Sequence, residues 1–349
     1  MSRRRAAWGA WCTVIGAIAT TLVTADVAGQ TPIDAALSGL ADGAVAFSYE
    51  GRPGVCGDGA GLVGLRRAEP ANEVAPEPRL LLIEQRDGHV STFTGRSSRD
   101  DDCVPGVVRV EIGAEGGQIV RIRTRVGGAS AGARVRDLGA VSPADAAAYL
   151  YRVGAVTERE RLGRAALVAA FLAAGVDPVP PLEAIARSVD RPIERRRHAA
   201  FWLAMEPGTR SLAALERLLE AVSEPALREH VVFAIAQHDD ERKGPVLRGI
   251  ALTEQSAKVR RAAFFWLGQS GNADDGRWLR DSYDRLSDRE LKRHLIFVLS
   301  QRRETEAADK LMTIARSDTD ARLRQQALFW LAQVDGERAE RLIRELLRR

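Results

Sequence analysis

The sequence predicts an α+β protein of two domains, a small β-rich N-terminal domain followed by an all-α solenoid. Three observations carry this prediction. Short alternating apolar runs with Gly-rich turns fill residues 34–139. After Gly139 the apolar spacing becomes helical. From residue 195 onward one helical segment returns at a fixed interval. The chain has 349 residues, 45% hydrophobic and 28% charged, enough for two globular units.

Residues 1–25 have the layout of a secretory signal peptide. Arg3, Arg4 and Arg5 precede an apolar run from Ala6 to about Val23, and Val23 and Ala25 supply the small residues for cleavage after Ala25. An uncleaved anchor is the alternative; the run is short and broken by Gly and Thr, which favours cleavage. No later stretch is long enough to span a bilayer. The mature chain is therefore expected in a bacterial-type envelope, secreted or periplasmic, with no stable membrane insertion. Losing the three leader arginines takes the formal charge from +4 to +1. A nearly neutral protein gives no electrostatic case for nucleic acid.

The β-rich domain is assigned to residues 26–140. "AVAFSY" (44–49), "RLLLIEQ" (79–85), "HVSTFTG" (89–95) and "VVRVEI" (107–112) read as strands. Two alternating runs around Glu115, Gly116 and Gly117 predict a hairpin, with Arg109, Glu111, Arg121, Arg123 and Arg125 on its wet face. Of three cysteines, Cys12 leaves with the leader. Cys56 and Cys103 remain as the expected disulfide in an oxidising compartment, two structural thiols being the alternative. Asp58 with Asp100, Asp101 and Asp102 matches no calcium-loop spacing and reads as solvated loop.

The helical domain is assigned to residues 141–349. Ser142, Pro143 and Asp145 form an N-cap signature, and Thr157 with Glu160 repeats it. Five segments then align without gaps: "RRRHAAFWLAM", "LREHVVFAIAQ", "VRRAAFFWLGQ", "LKRHLIFVLSQ" and "LRQQALFWLAQ". Their central residues Phe201, Phe233, Phe265, Phe297 and Phe329 are each 32 apart, a strict period over 195–349. A second helix lies in each interval. Such pairs bury their apolar faces only by stacking.

This pattern resembles the HEAT repeat, in the short form named after phycobilisome lyases. The resemblance rests on an apolar residue, Arg or Lys, small residues, then Leu-Gly or Leu-Ala. It implies an α-α solenoid over roughly 145–349, whose motif helices line the concave surface. The helical angle per residue places Leu227, Val259, Leu291 and Leu323 with residues such as Leu267 and Leu331, two after their Phe, on the core side. The Phe row falls on a second face. Beside it lie His198, His230, Ala262, His294 and Gln326, and Met205, Gln237, Gln269, Gln301 and Gln333.

Two readings stand for this second face. Stacked Phe, Gln and His make a groove for a protein or extended peptide, the amides pairing with its backbone. Alternatively the Phe rings are packing between repeats and the Gln side chains cap neighbouring helices. Alternation of Trp202, Trp266 and Trp330 with Ala234 and Val298 looks like volume compensation in a core. Arg196, Arg228, Arg260, Lys292 and Arg324 are expected to pair with acidic turn residues of adjacent repeats.

The resemblance extends to deoxyhypusine hydroxylase, which binds two irons through His-Glu dyads at the start of such helices. The corresponding pairs here are Arg197-His198, Glu229-His230, Arg261-Ala262, Arg293-His294 and Gln325-Gln326. One pair has both residue types, in reversed order, and Arg197 and Arg293 oppose a metal. The expected function is a non-enzymatic protein- or peptide-binding scaffold with no cofactor. Alternatives are recognition of a ligand or envelope component by the β-rich domain, and a metal-dependent enzyme using His198, His230 and His294.

Overall fold

The computed structural model describes residues 31–60, 62–66, 80–86, 89–94, 103–128, 135–302 and 304–348. The leader, its cleavage point and the acidic run Asp100, Asp101 and Asp102 lie outside the described residues. The described chain opens on a short helix that the alternating pattern hides, α1 (Pro32–Leu37). The Thr31 side chain accepts from the Asp34 N–H while the Asp34 carboxylate accepts from the Thr31 N–H, a reciprocal capping box.

Among the described residues nine strands follow: β1 (Gly43–Tyr49), β2 (Val55–Gly57), β3 (Leu62–Arg66), β4 (Leu80–Arg86), β5 (His89–Thr94), β6 (Val104–Pro105), β7 (Val108–Glu115), β8 (Gln118–Val126) and β9 (Val135–Ala140). They form two sheets, ordered β8-β7-β1-β9 and β5-β4-β3-β2-β6. The predicted hairpin is β7–β8. Glu115 pairs with Gln118, and Gly116 and Gly117 turn the chain at φ of 56° and 73°. Two consecutive positive φ values match the twist of the flanking strands and suit glycine. Val108, Val110, Ile112, Ile122 and Val126 are buried on one face, while Arg109, Glu111, Arg121, Arg123 and Arg125 take the other. Strand β9 pairs parallel with β1 at the sheet edge. Its residues are half-buried or exposed, so no alternation marks it in the sequence. Cys56 in β2 and Cys103 beside β6 form the expected disulfide, their Cα atoms 5.0 Å apart.

After β9 every element among the described residues is a helix, as predicted: a β-sheet region leads into an α-solenoid. α2 (Pro143–Val156) starts at Ser142, whose hydroxyl accepts from the Asp145 N–H at 3.0 Å. α3 (Glu160–Phe171) starts later than the Thr157 signature suggests. Thr157 instead closes α2, donating its N–H to Val153, and Arg159 takes the N-cap without a side-chain bond. The five repeated segments are α5 (Ile193–Met205), α7 (Pro225–Gln237), α9 (Ala257–Gln269), α11 (Arg289–Ser300) and α13 (Ala321–Val334). Between and around them lie α4 (Val179–Arg187), α6 (Thr209–Ala221), α8 (Lys243–Thr253), α10 (Ala273–Arg285), α12 (Thr305–Ser317) and α14 (Gly336–Leu347). Each motif helix packs on the next throughout, whereas the interleaved helices approach one another more sparsely.

The core register is the one read from the period. Leu227, Val259, Leu291 and Leu323 are buried, as are Leu203, Ile235, Leu267, Leu299 and Leu331. Of the basic row, Arg196 and Arg228 make the expected ion pairs with acidic residues, whereas Arg260, Lys292 and Arg324 show none among the described residues. Arg196 pairs with Glu224 and donates Nε to the Ala186 carbonyl at 3.0 Å; Arg228 pairs with Glu254 and donates to the Leu219 and Val222 carbonyls. Arg260 donates to the Ala251 carbonyl, and Arg324 to those of Asp318 and Thr319. Each guanidinium thus closes the C-terminal end of the preceding helix, where carbonyls lack partners and the helix dipole is negative. Lys292 departs from the row and lies over the Tyr283 ring.

Sheets and helices share one hydrophobic core, so the described residues of the β-sheet region and the solenoid pack as a continuous body. The Tyr49 hydroxyl donates to the Ala169 carbonyl, the Arg52 N–H donates to Leu172 at 2.8 Å and the Ala174 N–H to Glu50 at 3.0 Å. Arg52 also stacks on Phe171 and pairs with Glu206 at 2.6 Å. This junction holds the β-sheet region against the first turn of the solenoid.

Candidate functional site

The second face of the motif helices keeps its aromatic row partly open. Phe201, Phe233, Phe265 and Phe297 are half-buried, and Phe329 is 56% exposed. The row is not a uniform ladder. Trp266 packs between Phe233, at a centroid distance of 5.1 Å, and Phe265 of its own helix; Trp330 does the same between Phe297 and Phe329. Trp202 is buried and packs back on Phe171. Each Trp of this row therefore fills the gap to the preceding repeat, and the alternation with Ala234 and Val298 is a two-repeat rhythm.

Where Ala234 replaces Trp, a groove of about 360 Å³ opens between Phe201 and Phe233. Its walls include Val168 and Arg164 from α3, Glu194, Arg197 and His198 from α5, and His230 from α7. Phe201, Trp202, Phe233 and Val168 form the apolar lining; Arg197 is held by Glu194 at 2.6 Å and Arg164 by Glu160 at 3.4 Å.

The imidazoles divide into two kinds. His230 Nε2 lies 3.0 Å from the Arg197 carbonyl and His294 Nε2 lies 2.9 Å from that of Arg261. A carbonyl only accepts, so both rings carry hydrogen on Nε2 and act as clamps between successive repeats. Gln326 repeats the clamp, donating to the Arg293 carbonyl at 3.4 Å. Among the described residues His198 has no such partner and faces the groove. Burial, with the charges of Arg164, His230 and Arg195, pushes its pKa down to about 3. It is a neutral donor and acceptor at physiological pH. Burial lowers His230 and His294 as well.

The amides lie further out. Gln237 is half-buried, Gln269, Gln301 and Gln333 are exposed, and Met205 closes the first position as core. Gln301 donates to Ser300 Oγ at 3.3 Å; no repeat-to-repeat bonding engages the amide row among the described residues. Among those residues, too, no group of three His, Cys, Asp or Glu side chains is placed to hold a metal, and no helix is long and apolar enough to cross a membrane.

Sequence reasoning missed the polar groups that fix this face from behind. Arg195 is fully buried; it donates to the Gly154 and Thr157 carbonyls and pairs with Glu160 at 3.3 Å. The sequence did carry a signal, because Arg195 holds the register position that Leu227, Val259, Leu291 and Leu323 occupy elsewhere. Buried Arg302 donates to the Leu267, Gly268 and Asn272 carbonyls, closing α9. Buried His238 accepts from the Asp240 N–H at Nδ1, so its Nε2 donates to Ser211 Oγ at 2.8 Å.

The sequence pattern of HEAT repeats matches residues 179–268, which contain α5 and α7 and all but the last residue of α9. Residues 179–268 are HEAT repeats. Among solved structures the chain is similar to human deoxyhypusine hydroxylase in complex with glycerol, at 19% identity and a TM-score of 0.31, covering 48% of this chain and 66% of that one. It is also similar to a structure of lipid–protein interactions in lipovitellin, at 12% identity and a TM-score of 0.39, covering 85% of this chain and 36% of that one. The chain thus spans less than two thirds of either. No curated protein sequence matches.

Proposed function

We propose that the chain is an exported, non-enzymatic scaffold that binds an extended protein segment along the inner face of its HEAT repeats. The groove between Phe201 and Phe233 carries this reading. It offers two aromatic rings, a neutral unpartnered His198 and flanking Arg164 and Arg197, all set on a rigid packed layer. Half-buried rings give apolar contact at little entropic cost, and the exposed amides Gln269, Gln301 and Gln333 donate to and accept from an extended backbone. Arg3 to Arg5 with the apolar run behind them, and the Cys56–Cys103 disulfide, support export to an oxidising compartment.

One experiment addresses both parts. A photo-crosslinking phenylalanine analogue is placed at Phe233, or at exposed Leu252 on α8 as control, in cells making the full chain. Mass spectrometry of the product from the envelope fraction is expected to show an N-terminus at Asp26 and one dominant adduct from position 233 alone. Equal adducts from both positions would remove the groove, and an intact Met1 start in the cytosol would remove export.

A further inference from the structure

The groove is not the largest hollow on this side of the molecule. A cleft of about 690 Å³ lies between β8 and the start of α3. Its floor is apolar, formed by buried Ile122, Leu162 and Ala165. Its rim carries four guanidinium groups, Arg121, Arg123, Arg159 and Arg161, against Glu115 and Glu160.

The cations are poorly neutralised. Arg121 pairs with Glu111 at 2.8 Å, but Arg159 meets only the Ile119 carbonyl and the Gln118 amide oxygen. Among the described residues Arg123 and Arg161 form no ion pair or hydrogen bond, and both side chains are exposed. Glu160 is already engaged by Arg164 and Arg195. Three guanidinium groups without a carboxylate partner thus surround an apolar floor.

The cleft and the groove meet across α3. Leu162 and Ala165 face the cleft, while Arg164 and Val168 face the groove. We infer that the two form one docking track, in which the basic cleft takes carboxylate side chains of the same extended segment whose apolar side chain enters between Phe201 and Phe233. This rests on the groove reading above. Crossing one helix of about 10–12 Å diameter at about 3.3 Å per residue sets the carboxylates roughly three to four residues from the apolar anchor. Glu115 and Glu160 in the rim repel a densely charged polyphosphate or sulfated chain, whereas scattered Asp or Glu side chains reach the open arginines between them. Bidentate pairing of guanidinium with carboxylate then fixes the position of the segment.

The test uses fluorescein-labelled peptides with one Trp in a Ser/Gly background and three Glu placed three to five residues before or after it, with Gln versions as controls. Anisotropy with the full chain is expected to show at least tenfold tighter binding of one Glu peptide over its Gln version, lost at high salt. Charge reversal at exposed positions, Arg123→Glu with Arg161→Glu, should erase that preference and leave the melting temperature unchanged. Phe201→Ala with Phe233→Ala should weaken Glu and Gln versions alike. Equal binding of Glu and Gln versions, still dependent on the two Phe, would overturn the acidic partner and leave the groove standing. Heparin or polyphosphate displacing the peptide at lower concentration than free Glu peptide would also overturn it. Binding of neither peptide would overturn the track and count against the groove.

Discussion

Arg195 shows how one residue departs from a repeat and what the departure requires. A cation occupies a core register position, so its guanidinium must find carbonyls and a carboxylate, and the space it needs is taken from α3. A Cβ built on Gly163 would lie 2.0 Å from Arg195 Cζ. Gly163→Ala is therefore expected to cost about 2–4 kcal/mol by displacing a buried, bonded charge. Gly249→Ala in α8, where an added Cβ meets nothing within 4 Å, should instead stabilise by about 0.5–1 kcal/mol. Urea denaturation of both variants checks the pair. The imidazoles make a second prediction. His198, His230 and His294 have folded pKa values below the ordinary 6.5, His198 at about 3. Below pH 6.5 the unfolded chain binds protons that the folded chain refuses, so their stabilising effect is complete above 6.5 and is lost as pH falls through the folded values, for His198 down to about 3. The carboxylates that ion pairs and hydrogen bonds lower, such as Glu183, Glu224 and Glu304, titrate below their ordinary 4.5 and leave the window from 5 to 6.5 to the imidazoles. Melting temperature should fall from pH 6.5 to 5, and more shallowly in His198→Gln; parallel slopes would contradict the assignment.

At the scale of elements, legibility followed the strength of the local pattern. The motif helices and the β7–β8 hairpin were readable because period and turn chemistry agree there with burial. α1 and β9 were not, since one is six residues long and the other is a wet edge strand with no buried face to alternate. The helical angle sets the Phe, His and Gln rows side by side but does not reveal their division of labour. Whether a ring meets the next repeat's Trp, or an imidazole meets the previous repeat's carbonyl, depends on the offset between helices, which a single helical wheel does not contain. Cys56 and Cys103 join elements 47 residues apart. Replacing both with Ser should lower stability by about 2–4 kcal/mol, the effect of freeing a loop of that length in the unfolded chain. Calorimetry with and without reductant measures it, and an unchanged melting temperature would mean that the β2–β6 pairing does not depend on the bond.

For the whole molecule, the two-repeat rhythm sets the spacing at which the inner face can accept a partner. Phe201 and Phe265 are the Phe residues followed by a repeat without Trp, two helices apart along the layer. At about 8–10 Å between neighbouring helices and about 3.3 Å per extended residue, side chains docking at both would be five or six residues apart. The most direct measurement is the affinity of peptides selected from a displayed random library against the full chain, titrated against three proteins. The account predicts that Phe201→Ala with Phe233→Ala weakens the selected peptides at least tenfold relative to the unsubstituted chain, while Leu252→Ala on the outer layer changes nothing. Peptides that bind the double variant as tightly as the parent, with its fold intact by circular dichroism, would contradict it.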